Sequence, residues 1–368
     1  MESKNHINQI NFEESFDFFK LEIEKEIQSF NSMTQEEYMH ERKIEEMNQH
    51  YKIGDLPLLS KLRNRFWKFN NLEDYQGCIE QIKNIKPCLI PGNNNWVDCR
   101  RLISSANYSR GLGRSIKYFV IDETTDKLLG LIEVKSDFKT LTSREELIGW
   151  DDEMKINYKK LNNTAILSTL IAVPDFGTNG FGSKLISFLS LSDVVRDCWM
   201  YKYNDKLEGV TTTSIYGHHK NGSMYTGNKY FKSLGHSNGD VIYELPNDLY
   251  KILKNIISTE FPEEYEKINN GTNPKQRLMD FIFKVYQIKR SNGAHGFERG
   301  IYFCSFYLET SDHLNNKNLE KYTPRFKYTV QDIFDEWLPK SLKRFDKLYK
   351  EKRLTSEFKS YEKLIYNI

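Results

Sequence analysis

The stretch Val173-Pro-Asp-Phe-Gly-Thr-Asn-Gly-Phe-Gly-Ser183 is the part of this sequence best suited to chemistry. The apolar run 165–173 before it reads as a strand, and 185–191 after it reads as a helix. Backbone N–H groups of a glycine turn that opens a helix form an anion cradle. Val173, Gly177, Thr178, Asn179, Gly180, Phe181, Gly182 and Ser183 are therefore expected to hold the pyrophosphate of a nucleotide-bearing cofactor. Alone, G-x-x-G-x-G is a weak signal. Its position between a nine-residue apolar strand and a helix gives it weight.

Other residues offer less direct chemistry. His218 and His219 follow a strand-like run, 209–216, and with His236 could supply a base or a metal site. Adjacent histidines on an extended chain point to opposite sides, so at most one faces a ligand, and no metal is expected. Asp151, Asp152 and Glu153 read either as a carboxylate base or as a helix turn facing water. Arg100, Arg101, Arg110 and Arg114 bracket a glycine-punctuated turn at 107–114, which suits phosphate contact or a solvated rim. Near the C-terminus Lys340, Lys343, Arg344, Lys347, Lys350, Lys352 and Arg353 stand against Asp346 and Glu351. Spaced three and four apart, several share a helix face that can meet a phosphate backbone or simply face water.

These residues need elements to hold them. Residues 12 to about 50 read as helix with a break near 31–32, and Thr34 with Glu37 forms a capping-box pattern. Asp55 and Pro57 mark another helix start, ahead of an amphipathic basic segment at 58–69. Residues 87–95 read as a loop, and a helix begins near Trp96. Strands are expected at 118–121, 128–134, 165–173, 209–216 and 300–308. Helices are expected at 248–258, 263–268, 276–289, 330–350 and 356–366. The fold class is α/β (α+β). A helical region at 1–95 precedes a mixed-sheet core at 96–245 and a mostly helical domain at 246–368.

Net charge is +2, so no global field favours nucleic acid and any such contact must be local. The five cysteines are odd in number and none is spaced C-x-x-C, which argues for reduced thiols over a zinc site or disulfide framework. The polar start and the lack of an eighteen-residue apolar run predict a soluble cytoplasmic protein that does not enter membranes.

Read as a pattern, residues 117–239 resemble the GNAT acyltransferase fold, in which a splayed central strand leads into a Q/R-x-x-G-x-G/A turn. Gly177 stands where Gln or Arg usually opens that motif. Within that superfamily, residues 96–245 resemble the family of protein A of Druantia anti-phage systems, and more distantly the Mom DNA-modification protein of phage Mu. The likeness rests on Tyr108-Ser-Arg-Gly-Leu-Gly113, Leu129-Gly-Leu-Ile132 and Arg144-Glu-Glu-Leu-Ile-Gly-Trp150. It continues through Leu161-Asn-Asn163, Val173-Pro174, Gly222-Ser-Met-Tyr-Thr-Gly-Asn228 and Gly235-His-Ser-Asn-Gly239.

The resemblance implies a transferase that uses acetyl-CoA or another acyl-CoA to modify a base amine in DNA during phage–bacterium conflict. It implies that Tyr225 reprotonates the departing thiolate, with Ser223 as an alternative donor, and that Glu133 or a water it orients takes the amine proton. A second register puts Phe231, which has no proton to give, at the acid position. DNA is the expected partner, gripped by the arginines near Tyr108 and by Lys343, Arg344 and Lys347. Proteins of a phage or defence system are further partners. Two rival readings follow from the same likeness: a DNA-binding component that keeps the fold without the chemistry, favoured by Gly177, and an N-acetyltransferase acting on a protein or small-molecule amine.

Overall fold

The computed structural model describes residues 12–108, 113–216, 223–237, 240–289, 294–296, 298–315, 320–355 and 361–367. The chain divides into two compact units, one of residues 1–38 with 238–298 and one of 39–237 with 299–368.

The first unit holds the helix α1 (Phe12–Ser32), the start of α2 (Gln35–His50), a two-stranded ribbon and three further helices. Thr34 Oγ1 accepts from the Glu37 amide at 3.2 Å, while the Thr34 amide donates to the Glu37 carboxylate at 2.8 Å, so the expected capping box separates the first two helices. Phe19, Ile23, Ile27 and Phe30 repeat at helical spacing along α1 and pack with Leu253, Ile257, Ile282 and Phe283.

The second unit is built on a seven-stranded mixed sheet. In chain order it contains α3 (Leu56–Arg63), α4 (Tyr75–Lys83), β1 (Pro87–Pro91), α5 (Asn95–Ile103), β2 (Ser115–Asp122), β3 (Lys127–Ser136), α6 (Thr142–Ile148) and β4 (Thr164–Ala172). There follow α7 (Pro174–Asn179), α8 (Gly182–Leu189), α9 (Asp193–Tyr203), β5 (Gly209–Ser214) and β6 (Lys232–Ser237). The chain then runs through β7 (Asp240–Ile242), α10 (Asn247–Glu260), α11 (Pro262–Asn269), α12 (Pro274–Val285) and β8 (Ala294–Gly296), which belong to the first unit. It returns as β9 (Arg299–Ser305), α13 (Thr310–Leu314) and α14 (Val330–Lys350).

The strand order is β1-β2-β3-β4-β5-β9-β6, antiparallel throughout except for β4 beside β5. That parallel pair is short: Thr164, Ala165 and Ile166 face Gly209, Val210 and Thr211, and the strands then part. On the far edge β6 pairs with β9, Ser237 opposite Arg299, so residues 238–298 leave and rejoin the sheet at adjoining positions. Aromatic side chains carry the core, with Trp67, Trp96, Trp199 and Trp337 fully buried.

Three expectations are corrected. Residues 87–91 are a strand, not a loop; β1 lies at the sheet edge, where its two prolines cost no ladder bond to a second neighbour. Residues 232–237, where no strand is expected, form the opposite edge strand. The run 361–367 is a 3-10 helix, and 356–360, expected to be helical, lie outside the described residues.

Candidate functional site

Glu133 lies on β3, opposite Lys117 of β2 and Thr169 of β4, with a bulge just after it. Strand alternation puts Ser115 and Lys117 on one face, and Glu133 and Lys135 beside them. The carboxylate is almost wholly buried. Its Oε1 accepts from the hydroxyls of Tyr108 and Ser115, each at 3.2 Å, and its Oε2 from Ser168 at 2.9 Å. Lys117 Nζ stands 3.7 Å and Lys135 Nζ 3.3 Å away. Five donors thus converge on one buried charge, as burying a carboxylate requires.

Tyr108 holds this cluster from above. Around its ring centroid lie the Arg100 guanidinium at 4.9 Å, Lys135 Nζ at 5.1 Å and Lys117 Nζ at 5.2 Å. Arg100 is itself buried, its Nε on Thr169 Oγ1 at 3.2 Å and its Nη atoms on the carbonyls of Ala106 and Asn107.

A cleft of about 800 Å³ opens onto the cluster. It exists because β1 stops at Pro91, opposite Tyr118, and leaves residues 115–117 of β2 without a strand on that side. Polar groups of the bare edge are met by other elements. Gly92 donates to the Lys117 carbonyl, and Lys202 and the Tyr203 hydroxyl of α9 donate to the Ser115 carbonyl. Lys117, Lys135 and Lys202 are the cations among the lining residues, and Glu133 is the carboxylate.

Beyond Ile166, where β4 and β5 separate, Ser168 is exposed in the middle of a central strand with its hydroxyl on Glu133. Tyr225 packs on the β5–β9 side. Its ring lies 5.0 Å from Phe231 and 5.2 Å from Tyr302, its hydroxyl meets Thr212, and burial pushes the phenol's pKa well up. Ser223 accepts from the Tyr225 amide at 3.2 Å. Both sequence registers, Tyr225 and Phe231, thus lead to one packed aromatic cluster. Tyr225 as acid would need that cluster to open.

The glycine turn departs most from expectation. Residues 174–179 form α7, where the Gly177 amide is bonded to the Val173 carbonyl at 2.7 Å and the Gly180 amide to that of Phe176 at 3.1 Å. Phe176 is fully buried beneath Gly182, where a Cβ would collide with its ring. From outside, α14 covers the turn: Ser341 Oγ donates to the Gly180 carbonyl at 2.6 Å and Trp337 Nε1 to that of Phe181 at 3.1 Å. Buried Asn179 clamps Thr355 through two hydrogen bonds, of 2.6 and 3.1 Å. With Phe176 inside and α14 outside, the folded turn is packed and does not fit a cofactor diphosphate. Val173 and Asn179 are buried in this packing, Phe181 caps α8 at φ +60°, and Thr178 and Ser183 lie at its rim.

The basic residues are also redistributed. Arg101 pairs with Glu46 at 3.3 Å and Asp98 at 3.7 Å, and Arg114 with Asp205 at 2.6 Å, so neither they nor buried Arg100 form an open phosphate rim. Arg110, His218 and His219 lie outside the described residues. In and after α14, Lys340, Lys347, Lys350 and Arg353 each have a nearby carboxylate. Lys343 and Arg344 have none among the described residues. His236 is exposed on an edge strand, and Asp151, Asp152 and Glu153 face water. No group of three metal-ligating side chains occurs among the described residues, and no described helix is long and apolar enough to cross a membrane. The cysteines are unpaired.

The Arg144–Trp150 and Leu161–Asn163 stretches are architectural. Arg144 and Asp137 form a fully buried ion pair at 2.8 Å, and Thr211 of β5 donates to the same carboxylate at 3.0 Å. Gly149 turns the chain at φ +81°, and Trp150 Nε1 donates to the Leu314 carbonyl at 3.0 Å. Asn163 Nδ2 reaches the Lys206 carbonyl at 2.8 Å. A second buried titratable pair, unnoticed in the sequence, is Glu208 with His313, Oε2 to Nδ1 at 3.2 Å. Burial raises the Glu208 pKa to about 7 and lowers that of His313.

A family model described as Druantia protein DruA matches residues 67–316. The chain is 28% identical over 215 residues to the Druantia protein DruA of Escherichia coli (strain UMEA 4076-1), over 54% of this chain and 52% of that protein. The chain therefore spans about half the length of this curated relative. No solved structure matches.

Proposed function

The chain belongs to the Druantia protein DruA family, and on that premise we propose that it is a polynucleotide-binding component of an anti-phage defence system, built on a GNAT-like scaffold. The observation that carries this reading is the cleft at the β2 edge, where three lysines meet one carboxylate whose bonding capacity is already engaged by hydroxyls. The surplus charge suits phosphates. A fluorescent oligonucleotide titrated at two salt concentrations tests it. Binding should weaken steeply with salt, and Lys117→Gln with Lys135→Gln should flatten the slope. Salt-independent binding, or none, would end this reading.

A second reading, an acyl-CoA-dependent transferase acting on a base amine, is favoured by a specific observation. Where β4 and β5 part, exposed Ser168 bonds to Glu133, a route by which an amine proton could reach a buried carboxylate. A base would have to leave its stack to arrive there. An acyl-CoA would supply the acyl group, but the packed turn gives its diphosphate no seat. Calorimetry with acetyl-CoA and with CoA decides: heat with either favours transfer, and heat without oligonucleotide binding favours an N-acetyltransferase of protein or small-molecule amines.

A further inference from the structure

Resting on the polynucleotide reading, we infer that the cleft takes a single strand, with its phosphates on Lys117, Lys135 and Lys202 and a base stacked on Tyr201. Two independent features point there. The first is recession. The side chains of Lys117 and Lys135 are only 27% and 18% exposed, held back over aromatic rings and beside Glu133. A rigid duplex presents phosphates on a convex surface and cannot bring them down to such ammonium groups. A flexible strand can bend one or two phosphates into the recess.

The second feature is the adjoining helix. Cys198 of α9 lines the cleft, and residues three and four further on lie beside it on a helix surface. Those residues are Tyr201 and Lys202. Tyr201 is 93% exposed, the most exposed of the large apolar side chains among the described residues. A ring in water beside a lysine-lined groove matches what sequence-tolerant single-strand binders use, since every base offers a face to stack. Lys202, also lining the cleft, is the next residue along and donates to the Ser115 carbonyl of the bare edge.

The experiment is fluorescence anisotropy with the full chain, a labelled mixed-sequence single strand, the same sequence as duplex, and AMP as competitor. Single strand should bind at least tenfold more tightly than duplex. Tyr201→Ala should weaken single-strand binding about tenfold while leaving the salt slope unchanged, as loss of one stacked base predicts. Lys202→Gln should lower the slope by about 0.7, one phosphate contact on a single strand. Both positions are exposed, so circular dichroism and the melting temperature should not change. Duplex binding equal to single strand, or full affinity in Tyr201→Ala, overturns the inference but leaves the polynucleotide reading standing. AMP displacing the strand at comparable concentration also overturns it, because the site would then be made for a mononucleotide. Failure to bind any polynucleotide removes the underlying reading.

Discussion

Arg144 Nη1 lies 2.8 Å from Asp137 Oδ2, with both side chains wholly out of water. Arg144 also donates to the Phe138 carbonyl at 2.9 Å, and its guanidinium sits 5.4 Å from the Trp150 ring centroid. The pair fastens the segment after β3 to β5, through Thr211. Removing one member strands the other charge in a medium that cannot solvate it.

Arg144→Ala should therefore destabilise the chain by about 3–5 kcal/mol. Urea unfolding followed by circular dichroism measures it. The double variant Arg144→Met with Asp137→Leu should recover most of the loss, because no charge is left unmatched. A cost below about 1 kcal/mol for Arg144→Ala would mean that water reaches the pair.

The Glu208–His313 pair makes stability depend on pH. The folded Glu208 carboxyl has its pKa raised to about 7, against an ordinary value of 4.5. Its contribution is complete below about pH 4.5 and is lost as pH rises through 7, since the unfolded chain ionises earlier. His313, lowered by burial, acts oppositely below its ordinary value of 6.5, so the Glu208 loss shows best above that pH. Melting temperatures should fall from pH 6.5 to 8 in the parent protein. In Glu208→Gln that fall should be smaller, by about 1 kcal/mol, the part of the titration that remains above pH 6.5.

Gly182 and Phe176 should be thermodynamically coupled. Gly182→Ala forces a methyl into the Phe176 ring and should cost about 1–3 kcal/mol. Combined with Phe176→Leu, the added penalty should shrink by about 1 kcal/mol or more, which a double-mutant cycle in urea resolves. Strict additivity would show that the ring does not fill that space.

Glu133→Gln separates the two functional readings. It removes the carboxylate that Lys117 and Lys135 share, so a cleft that grips phosphates should bind an oligonucleotide more tightly, on the order of fivefold. A transfer site should instead lose turnover at unchanged oligonucleotide affinity. Anisotropy and an acetylation assay, run side by side, distinguish these outcomes.

Much of the scaffold was legible because its signals are local. The apolar runs at β2, β3 and β4 and the helical stripe of α1 each reflect what the core buries. Edge strands carry no such imprint. β1 is bounded by proline at both ends, and β6 is polar and mostly exposed, so neither reads as a strand by hydrophobicity. Helix α9 was missed because Val195 and Trp199 are its only buried residues.

The site was half legible. Glu133 could be picked from its strand, and its partners Lys117 and Lys135 follow from the two-residue period that puts Ser115 with Lys117 and Glu133 with Lys135 on shared faces. Tyr108 reaches Glu133 through tertiary folding alone. The filling of the glycine turn was hidden for the same reason: Trp337, 156 residues downstream of Phe181, supplies part of its cover.

The pairing of Ser237 with Arg299 has an evolutionary corollary. A chain that exits and re-enters between hydrogen-bonded neighbours presents almost closed ends, and each doubling of what hangs from them adds only about 0.6 kcal/mol. Residues 238–298 can thus be lengthened, trimmed or exchanged between relatives without reopening the strand ladder. Such a socket lets a protein renew an inserted segment while keeping the strands that hold it.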